Sequence, residues 1–158
     1  MTQTFFSRLQ PGMRLELGSY TFEAEAIKTF ARQFDPQPFH LDETAAEQSH
    51  FGRLCASGWH CCAVFMKLYV RNGETALREA MGWTGAMPDR GPSPGFRDLK
   101  WLRPTYAGDT LAYRSTLLAA RASQSRPGWG LMQSEIEATN QNDESVMRFV
   151  STVFISTR

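Results

Sequence analysis

Residues 57–73, SGWHCCAVFMKLYVRNG, decide the fold of this chain. Ser57 or Gly58 can cap a helix, and the residues from Trp59 to Val70 are apolar on nearly every helical face. A helix that is hydrophobic all round must be covered on more than one side. Asn72-Gly73 is a common stop signal, so the sequence predicts a long buried helix that ends there.

Patterns on either side of this helix complete the predicted fold. Upstream, the spacing predicts a strand over 13–22, an amphipathic helix that ends near Phe34, and a short helix capped by Asp42. Downstream, it predicts a short helix over 74–81 and then four strands, over 96–102, 110–119, 129–139 and 146–157. One buried helix with a long antiparallel meander predicts an α+β domain in which a curved sheet wraps around the helix, the hot-dog arrangement.

Length and charge allow one domain and give no sign of a charged partner. The 158 residues carry 17 Lys and Arg against 16 Asp and Glu, a formal net charge of +1. No repeat or linker divides them, so a single domain over 1–158 is expected. The balance of charges indicates neither nucleic-acid nor membrane binding, and no apolar run reaches the ~18 residues of a membrane span.

Cysteine usage indicates the cellular compartment. Cys55, Cys61 and Cys62 lie in or beside the apolar stretch, are odd in number and form no CxxC pair. We therefore expect free, buried thiols and no metal site. The first residues also lack the ~7–15-residue apolar stretch of a secretory signal peptide. These features predict a cytoplasmic protein.

Asp35 and His40 are the strongest candidates for chemistry. Asp35 stands at the predicted C-terminal end of a helix, where the helix dipole disfavours a negative charge. His40 follows across the segment Pro36-Gln37-Pro38-Phe39, whose two prolines restrict the backbone. An acid and an imidazole held toward one water molecule suit the addition or removal of water. An exposed loop aspartate beside a histidine packed on Phe39 explains the same spacing without any chemistry.

The start of the buried helix is the second candidate site. First-turn N–H groups have no acceptor within the helix and carry the positive end of its dipole, so they can bind an oxyanion or a thioester carbonyl. Gly58 has no Cβ, which lets a ligand approach closely. Plain capping by Ser57 accounts for these residues equally well.

Other polar and aromatic residues have simpler explanations. Trp59 and His60 are expected in the core rather than at a ligand. Arg97, Lys100 and Arg103 could meet a nucleotide phosphate, but basic residues around one strand are usually solvated or ion-paired. No G-x-G-x-x-G, Walker A or G-x-S-x-G motif is present, which argues against the commonest nucleotide-binding and serine-hydrolase sites.

Three stretches resemble the MaoC-like dehydratase family, which includes (R)-specific enoyl-CoA hydratases. They are FARQFDPQPFHLD at 30–42, FGRLCASGWH at 51–60, and LKWLRP at 99–104 with GDT at 108–110. The resemblance covers most of the chain from about Thr21 onward. It implies a hot-dog fold, a homodimer and reversible hydration of a trans-2-enoyl thioester, with coenzyme A carried on the substrate and no other cofactor.

The resemblance also implies residue roles. Asp35 and His40 would be the water-activating catalytic pair, and the Gly58 N–H the donor to the thioester carbonyl. Four further residues are expected to bind the substrate: Phe39, Ser57, Trp59 and Arg103. Four positions depart from the family pattern, which often has Gly, Asn, Gly and Ser there: Phe34, Gln37, Arg53 and Met66. They belong to the lining, so they bear on acyl-chain preference rather than on reaction type.

Two other functions are compatible with the same residues. A hot-dog thioesterase would use Asp35 to activate water against the carbonyl, and would release free thiol from a saturated acyl-CoA. A non-catalytic acyl-thioester-binding domain would bind without turnover. The Asp35–His40 pair counts against this last function, and the resemblance makes a hydratase that converts a trans-2-enoyl-CoA to a 3-hydroxyacyl-CoA the function predicted.

Overall fold

Five antiparallel strands form one sheet in the computed structural model, which describes residues 3–158. The strands are β1 (Arg14–Thr21), β2 (Gly95–Trp101), β3 (Thr110–Ala122), β4 (Trp129–Thr139) and β5 (Ser145–Ser156). Their order in the sheet is β1-β3-β4-β5-β2, so β1 and β2 are the edges. The predicted strands agree with these bounds to within three residues at either end. The predicted domain also includes Met1 and Thr2, which lie outside the described residues.

The described residues form four α-helices, all between β1 and β2, after a short 3₁₀ turn at Phe6–Arg8. The helices are α1 (Ala24–Phe34), α2 (Pro38–Leu41), α3 (Glu43–Glu47) and α4 (Gly58–Met81). The long helix α4 packs against β1 and turns Cys61, Val64, Phe65 and Leu68 into the core. The arrangement is the α+β one that the sequence predicts. No helix within residues 3–158 is long and apolar enough to cross a membrane.

The helix α4 continues past its predicted end. It runs for 24 residues to Met81, so the predicted stop at Asn72-Gly73 and the separate helix over 74–81 are wrong. Asn72 Nδ2 donates to the backbone oxygen of Leu17 in β1 at 2.7 Å, which holds this turn of the helix against the sheet. The helix ends instead at Gly82, whose left-handed φ of 58° suits glycine.

One face of α4 remains uncovered in the single chain. Trp59, Met66 and Val70 are 51%, 52% and 73% exposed, so the prediction of Trp59 in the core is wrong. The uncovered face meets the edge strand β2, because the Trp59 and Trp101 rings lie 5.1 Å apart, edge to face. We call the exposed apolar side chains of this region the apolar patch: Trp59, Met66, Val70, Phe96, Trp101 and Leu102.

Candidate active site

Two helices bring Asp35 and His40 together. Asp35 caps the C-terminus of α1, and its N–H donates to the backbone oxygen of Ala31 at 3.0 Å. The helix α2, where the sequence predicts only a stiff link, then begins at Pro38, because proline suits a first helical position that needs no N–H donor. This turn places His40 Nε2 at 3.4 Å from Asp35 Oδ2.

The backbone determines which nitrogen of His40 faces Asp35. His40 is buried, and its Nδ1 lies 2.6 Å from the carbonyl oxygen of Cys55. A carbonyl oxygen only accepts hydrogen bonds, so Nδ1 carries a hydrogen and the neutral ring has its lone pair on Nε2. Phe39 packs edge-on against the ring at 4.6 Å and limits its rotation. The atom of His40 that can take up or return a proton is therefore Nε2.

Asp35 is held in its charged form. Burial, the largest influence, raises the pKa of Asp35, but hydrogen bonds from Ser57 and Gln37 together with the nearby His40 outweigh it and lower the pKa below its usual value. Gln37 Nε2 donates to Oδ1 at 2.7 Å, while Oδ2 faces His40. Asp35 Oδ2 and His40 Nε2 can thus contact one water molecule or one substrate hydroxyl at the same time.

A cleft of about 530 Å³ opens beside the pair. Its wall includes both Asp35 and His40 and three of the residues expected to bind substrate, namely Phe39, Trp59 and Arg103. Half of the Arg103 side chain is exposed, so we call its part of the cleft the outer end; its Nε lies 3.4 Å from Glu144 Oε1. The predicted site residues therefore converge on one cavity, apart from Ser57.

Ser57 lies below the cleft rather than on its wall. It is 1% exposed, and its Oγ accepts the N–H of Trp59 at 3.3 Å as the cap of α4. Its hydroxyl also stabilises the charged form of Asp35. This position differs from the predicted contact with substrate, because a buried hydroxyl that serves two internal partners presents no surface to a ligand.

Gly58, the first residue of α4, lies on the cleft wall, but another side chain fills the space where its Cβ would be. The Gly58 N–H has no acceptor within the helix, as expected for a first-turn donor. A Cβ built on Gly58 would lie 2.6 Å from Nε1 and Cδ2 of Trp101. The missing Cβ of Gly58 therefore makes room for this indole ring rather than for a ligand.

The sequence analysis assigned no role to Trp101, and it treated Gln37 only as part of the substrate lining. Gln37 stands two residues after the candidate acid, and an amide donor at that spacing is a signal that could have been used. Trp101 lies 43 positions from Gly58, and nothing local connects the two. The sheet edge alone brings Trp101 to the helix.

The thiols near the pair are unsuited to nucleophilic chemistry. Burial, helped by the charge of Asp35, raises the pKa of Cys55 to about 11, and burial raises that of Cys61 to about 12 and that of Cys62 to about 11. All three cysteines are unpaired. A thiol of such pKa stays protonated at neutral pH.

Within residues 3–158, no group of three His, Cys, Asp or Glu side chains is placed to hold a metal ion.

Comparisons with known proteins identify the fold and the family. The family model "FAS1-like, dehydratase domain region" matches residues 9–149. A MaoC-like dehydratase from Rhodospirillum rubrum is 38% identical, with a TM-score of 0.76 over 95% of this chain and 94% of that one. An R-hydratase from Pseudomonas aeruginosa is 18% identical, with a TM-score of 0.66 over 97% and 86% of the two chains, and shows a shared fold alone.

A curated relative shares part of the sequence. The uncharacterized protein YdeM of Bacillus subtilis (strain 168) is 34% identical over 62 residues, which are 39% of this chain and 44% of YdeM. The match therefore spans less than half of that relative. The two structural matches described above confirm the predicted hot-dog fold.

Proposed function

Because the chain belongs to the MaoC-like family of hot-dog dehydratases, we propose that it is an enzyme that reversibly hydrates a trans-2-enoyl-CoA to a 3-hydroxyacyl-CoA. The observation that carries the proposal is the 3.4 Å approach of His40 Nε2 to Asp35 Oδ2 on the wall of one cleft. Both atoms can accept a proton, which is what the activation of water requires. Coenzyme A enters as part of the substrate, and the proposal needs no other cofactor.

The pair moves one proton in each direction of the reaction. In hydration, water between Asp35 Oδ2 and His40 Nε2 loses a proton to the pair as its oxygen bonds to C3 of the enoyl group. The electrons of the C2–C3 double bond shift toward the thioester oxygen, and the same proton then passes from the pair to C2. Dehydration reverses these steps, so the pair ends each turnover in its starting state.

Gly58 supplies the stabilising donor in this proposal. Its N–H, at the positive end of the α4 dipole, would donate to the thioester oxygen as negative charge develops there. Donors in comparable positions contribute ~2.7–4 kcal/mol to the transition state. Phe39 and Trp59 would contact the acyl thioester on the cleft wall, and Arg103 would meet the carrier at the outer end.

We also propose that two copies of the chain associate through the apolar patch. Met66, Phe96 and Trp59 line one shallow cavity there, which an isolated chain would expose to water. The strand β2 pairs only with β5, so its other edge is free to pair with a second β2. Both edge strands expose charged residues, but β2 also exposes the aromatic side chains of Phe96 and Trp101, which favours it as the contact.

The test is a panel of trans-2-enoyl-CoA thioesters of increasing chain length. Loss of enoyl absorbance with formation of 3-hydroxyacyl-CoA is the expected result, and no change with any member would refute the proposal. Release of free thiol from saturated acyl-CoA would indicate a thioesterase instead.

A cytoplasmic location is part of the proposal, because Cys55, Cys61 and Cys62 are unpaired and such thiols persist in a reducing compartment.

A further inference from the structure

A second, polar pocket adjoins the outer end of the catalytic cleft. It has a volume of about 170 Å³, and Arg103 and Pro104 line both cavities. The other side chains around it come from the loop before α4, the β2–β3 loop and the β4–β5 turn: Arg53, Tyr106, Asp109, Asn140, Gln141, Asn142 and Glu144. A ligand that extends out of the cleft past Arg103 would enter this pocket.

Arg53 is held in a fixed orientation in this pocket. Its guanidinium carbon lies 3.9 Å from the centroid of the Tyr106 ring. Tyr106 is itself anchored, because its hydroxyl donates to the backbone oxygen of Phe51 at 3.0 Å and its N–H to Asp109 Oδ2 at 2.8 Å. A guanidinium stacked on a ring keeps its N–H edges free for a further partner.

Arg53 makes no ion pair among the described residues, whereas the carboxylates beside it are engaged in hydrogen bonds. Among the ion pairs within residues 3–158, none involves Arg53. Asp109 accepts from Gln141 Nε2 at 2.8 Å as well as from Tyr106. Glu144 accepts from Asn140 Nδ2 at 2.8 Å and pairs with Arg103. The pocket thus offers one oriented, unpaired guanidinium to an incoming anion.

We propose that Arg53, assisted by Arg103, binds the phosphate of the phosphopantetheine arm that carries the acyl group. The inference rests on the proposed function, since it requires the thioester to lie at Gly58 and its carrier arm to leave the cleft past Arg103. The forked N–H groups of arginine match phosphate oxygens in two parallel hydrogen bonds. Arg103 can turn from Glu144 to the same phosphate because half of its side chain is exposed.

A binding experiment tests the site without any reaction. Free coenzyme A and free pantetheine, which lacks the phosphate, are titrated calorimetrically into the wild type, Arg53→Gln and a control variant, Arg121→Gln. Arg121 is exposed near the far end of β3 and outside this pocket, so its loss removes the same charge elsewhere. We expect about tenfold weaker binding of coenzyme A to Arg53→Gln only, and no change for pantetheine. Equal effects of both substitutions would overturn the proposal.

A kinetic experiment identifies the phosphate. The enoyl group is presented on N-acetylcysteamine, on phosphopantetheine and on coenzyme A. Arg53→Gln is expected to lower kcat/KM about tenfold for the last two and to leave the first unchanged. A loss with coenzyme A alone would overturn the assignment to the arm phosphate, and an equal loss with all three would show a purely structural role.

Two results separate failure of this inference from failure of the proposed function. If the wild type hydrates none of the three thioesters, the proposed function fails, and the calorimetric comparison still decides whether Arg53 binds phosphate. If it hydrates the N-acetylcysteamine thioester and Arg53→Gln changes nothing, only the phosphate site is refuted. In a separate comparison, the wild-type kcat/KM for coenzyme A thioesters and for acyl-carrier-protein thioesters shows which of these two carriers supplies the phosphopantetheine arm.

Discussion

The indole of Trp101 occupies the space beside Gly58 where a side chain would begin. The same ring contacts Trp59 and lies close enough to Cys62 to influence its thiol. Trp101 is on the edge strand β2 and Gly58 is the first residue of α4, so one contact couples the sheet edge to the helix N-terminus. Glycine is therefore required at position 58 because of the protein itself, whatever ligand binds.

Gly58→Ala should destabilise the protein through this contact. A new Cβ would overlap the Trp101 ring, and overpacking of this kind costs ~1–3 kcal/mol. In a Trp101→Ala background the ring is gone, so the same substitution should cost less than about 0.5 kcal/mol. Urea unfolding of the four proteins of this cycle measures the coupling. An equal cost in both backgrounds would show that Trp101 does not set the requirement for glycine.

Loss of either member of the proposed Asp35–His40 pair should abolish most activity. Asp35→Asn and His40→Ala are each expected to lower kcat/KM for enoyl-CoA hydration by ~10²–10⁴, the range for a positioned acid or base. The kcat/KM of the double variant should be little lower than that of the less active single variant, because the two side chains act on the same water.

The control for these variants is Glu135→Gln, which removes a charge from an exposed position on β4. It should retain wild-type activity, and circular dichroism should show that all variants are folded. Near-wild-type activity in either folded single variant would refute the pair. Fully additive losses would instead mean that the two residues act in separate steps.

Gln37 should set the acid limb of the pH profile. Its amide lowers the pKa of Asp35 by donating to Oδ1, so Asp35 remains charged, and active, down to a lower pH. In Gln37→Leu the donor is lost and the pKa rises, so kcat/KM should begin to fall at a higher pH than in the wild type. Gln37→Asn, which keeps an amide donor, should move the limb less. A uniform loss of activity with an unmoved limb would contradict this role.

His60 should make the fold sensitive to acid. Its ring is stacked on Phe30 at 4.6 Å and its Nδ1 is buried without a hydrogen-bond partner among the described residues. Burial lowers the pKa of His60 to about 4. The ring is neutral when folded but titrates near 6.5 when unfolded, so its contribution is complete above pH 6.5 and is lost as the pH falls toward 4.

The measurement is the free energy of unfolding of the wild type and of His60→Leu across this pH range. Leucine has a similar volume and no charge to bury. Between pH 7.5 and pH 4, the free energy of unfolding of the wild type should fall by about 3 kcal/mol more than that of His60→Leu. A difference between the two proteins that does not change with pH would refute the assignment.

The apolar patch should decide the oligomeric state. Val70→Glu places a charge at its most exposed member, at 73% exposure, and should turn a dimer into a monomer at micromolar concentration. Leu118→Glu is the matched control, since Leu118 is also exposed and apolar but lies on β3 outside the patch. Light scattering that finds a monomeric wild type, or two equally disrupted variants, would refute an association through this face.

Local sequence patterns were sufficient for the strands and for the closeness of Asp35 and His40. The alternation in β3, β4 and β5 and the helical stripe before Phe34 report the burial of nearby side chains, and each strand was predicted within a few residues. Asp35 and His40 are close in sequence, so the backbone between them has few ways to separate their side chains. Of the two prolines that were expected to stiffen this link, Pro38 instead begins the helix α2.

The sequence by itself determined the five strands, α1, α3 and the start of α4, and it kept Asp35 and His40 close together, because those features depend on neighbours within a few residues. Only the tertiary structure decided the end of α4, where Asn72 is bound to Leu17 of β1, and the contact of Trp101 with Gly58. The stacking of Arg53 on Tyr106 also depends on the tertiary structure alone. These contacts join segments far apart along the chain, and the order of strands in the sheet, which no local pattern contains, sets their distances.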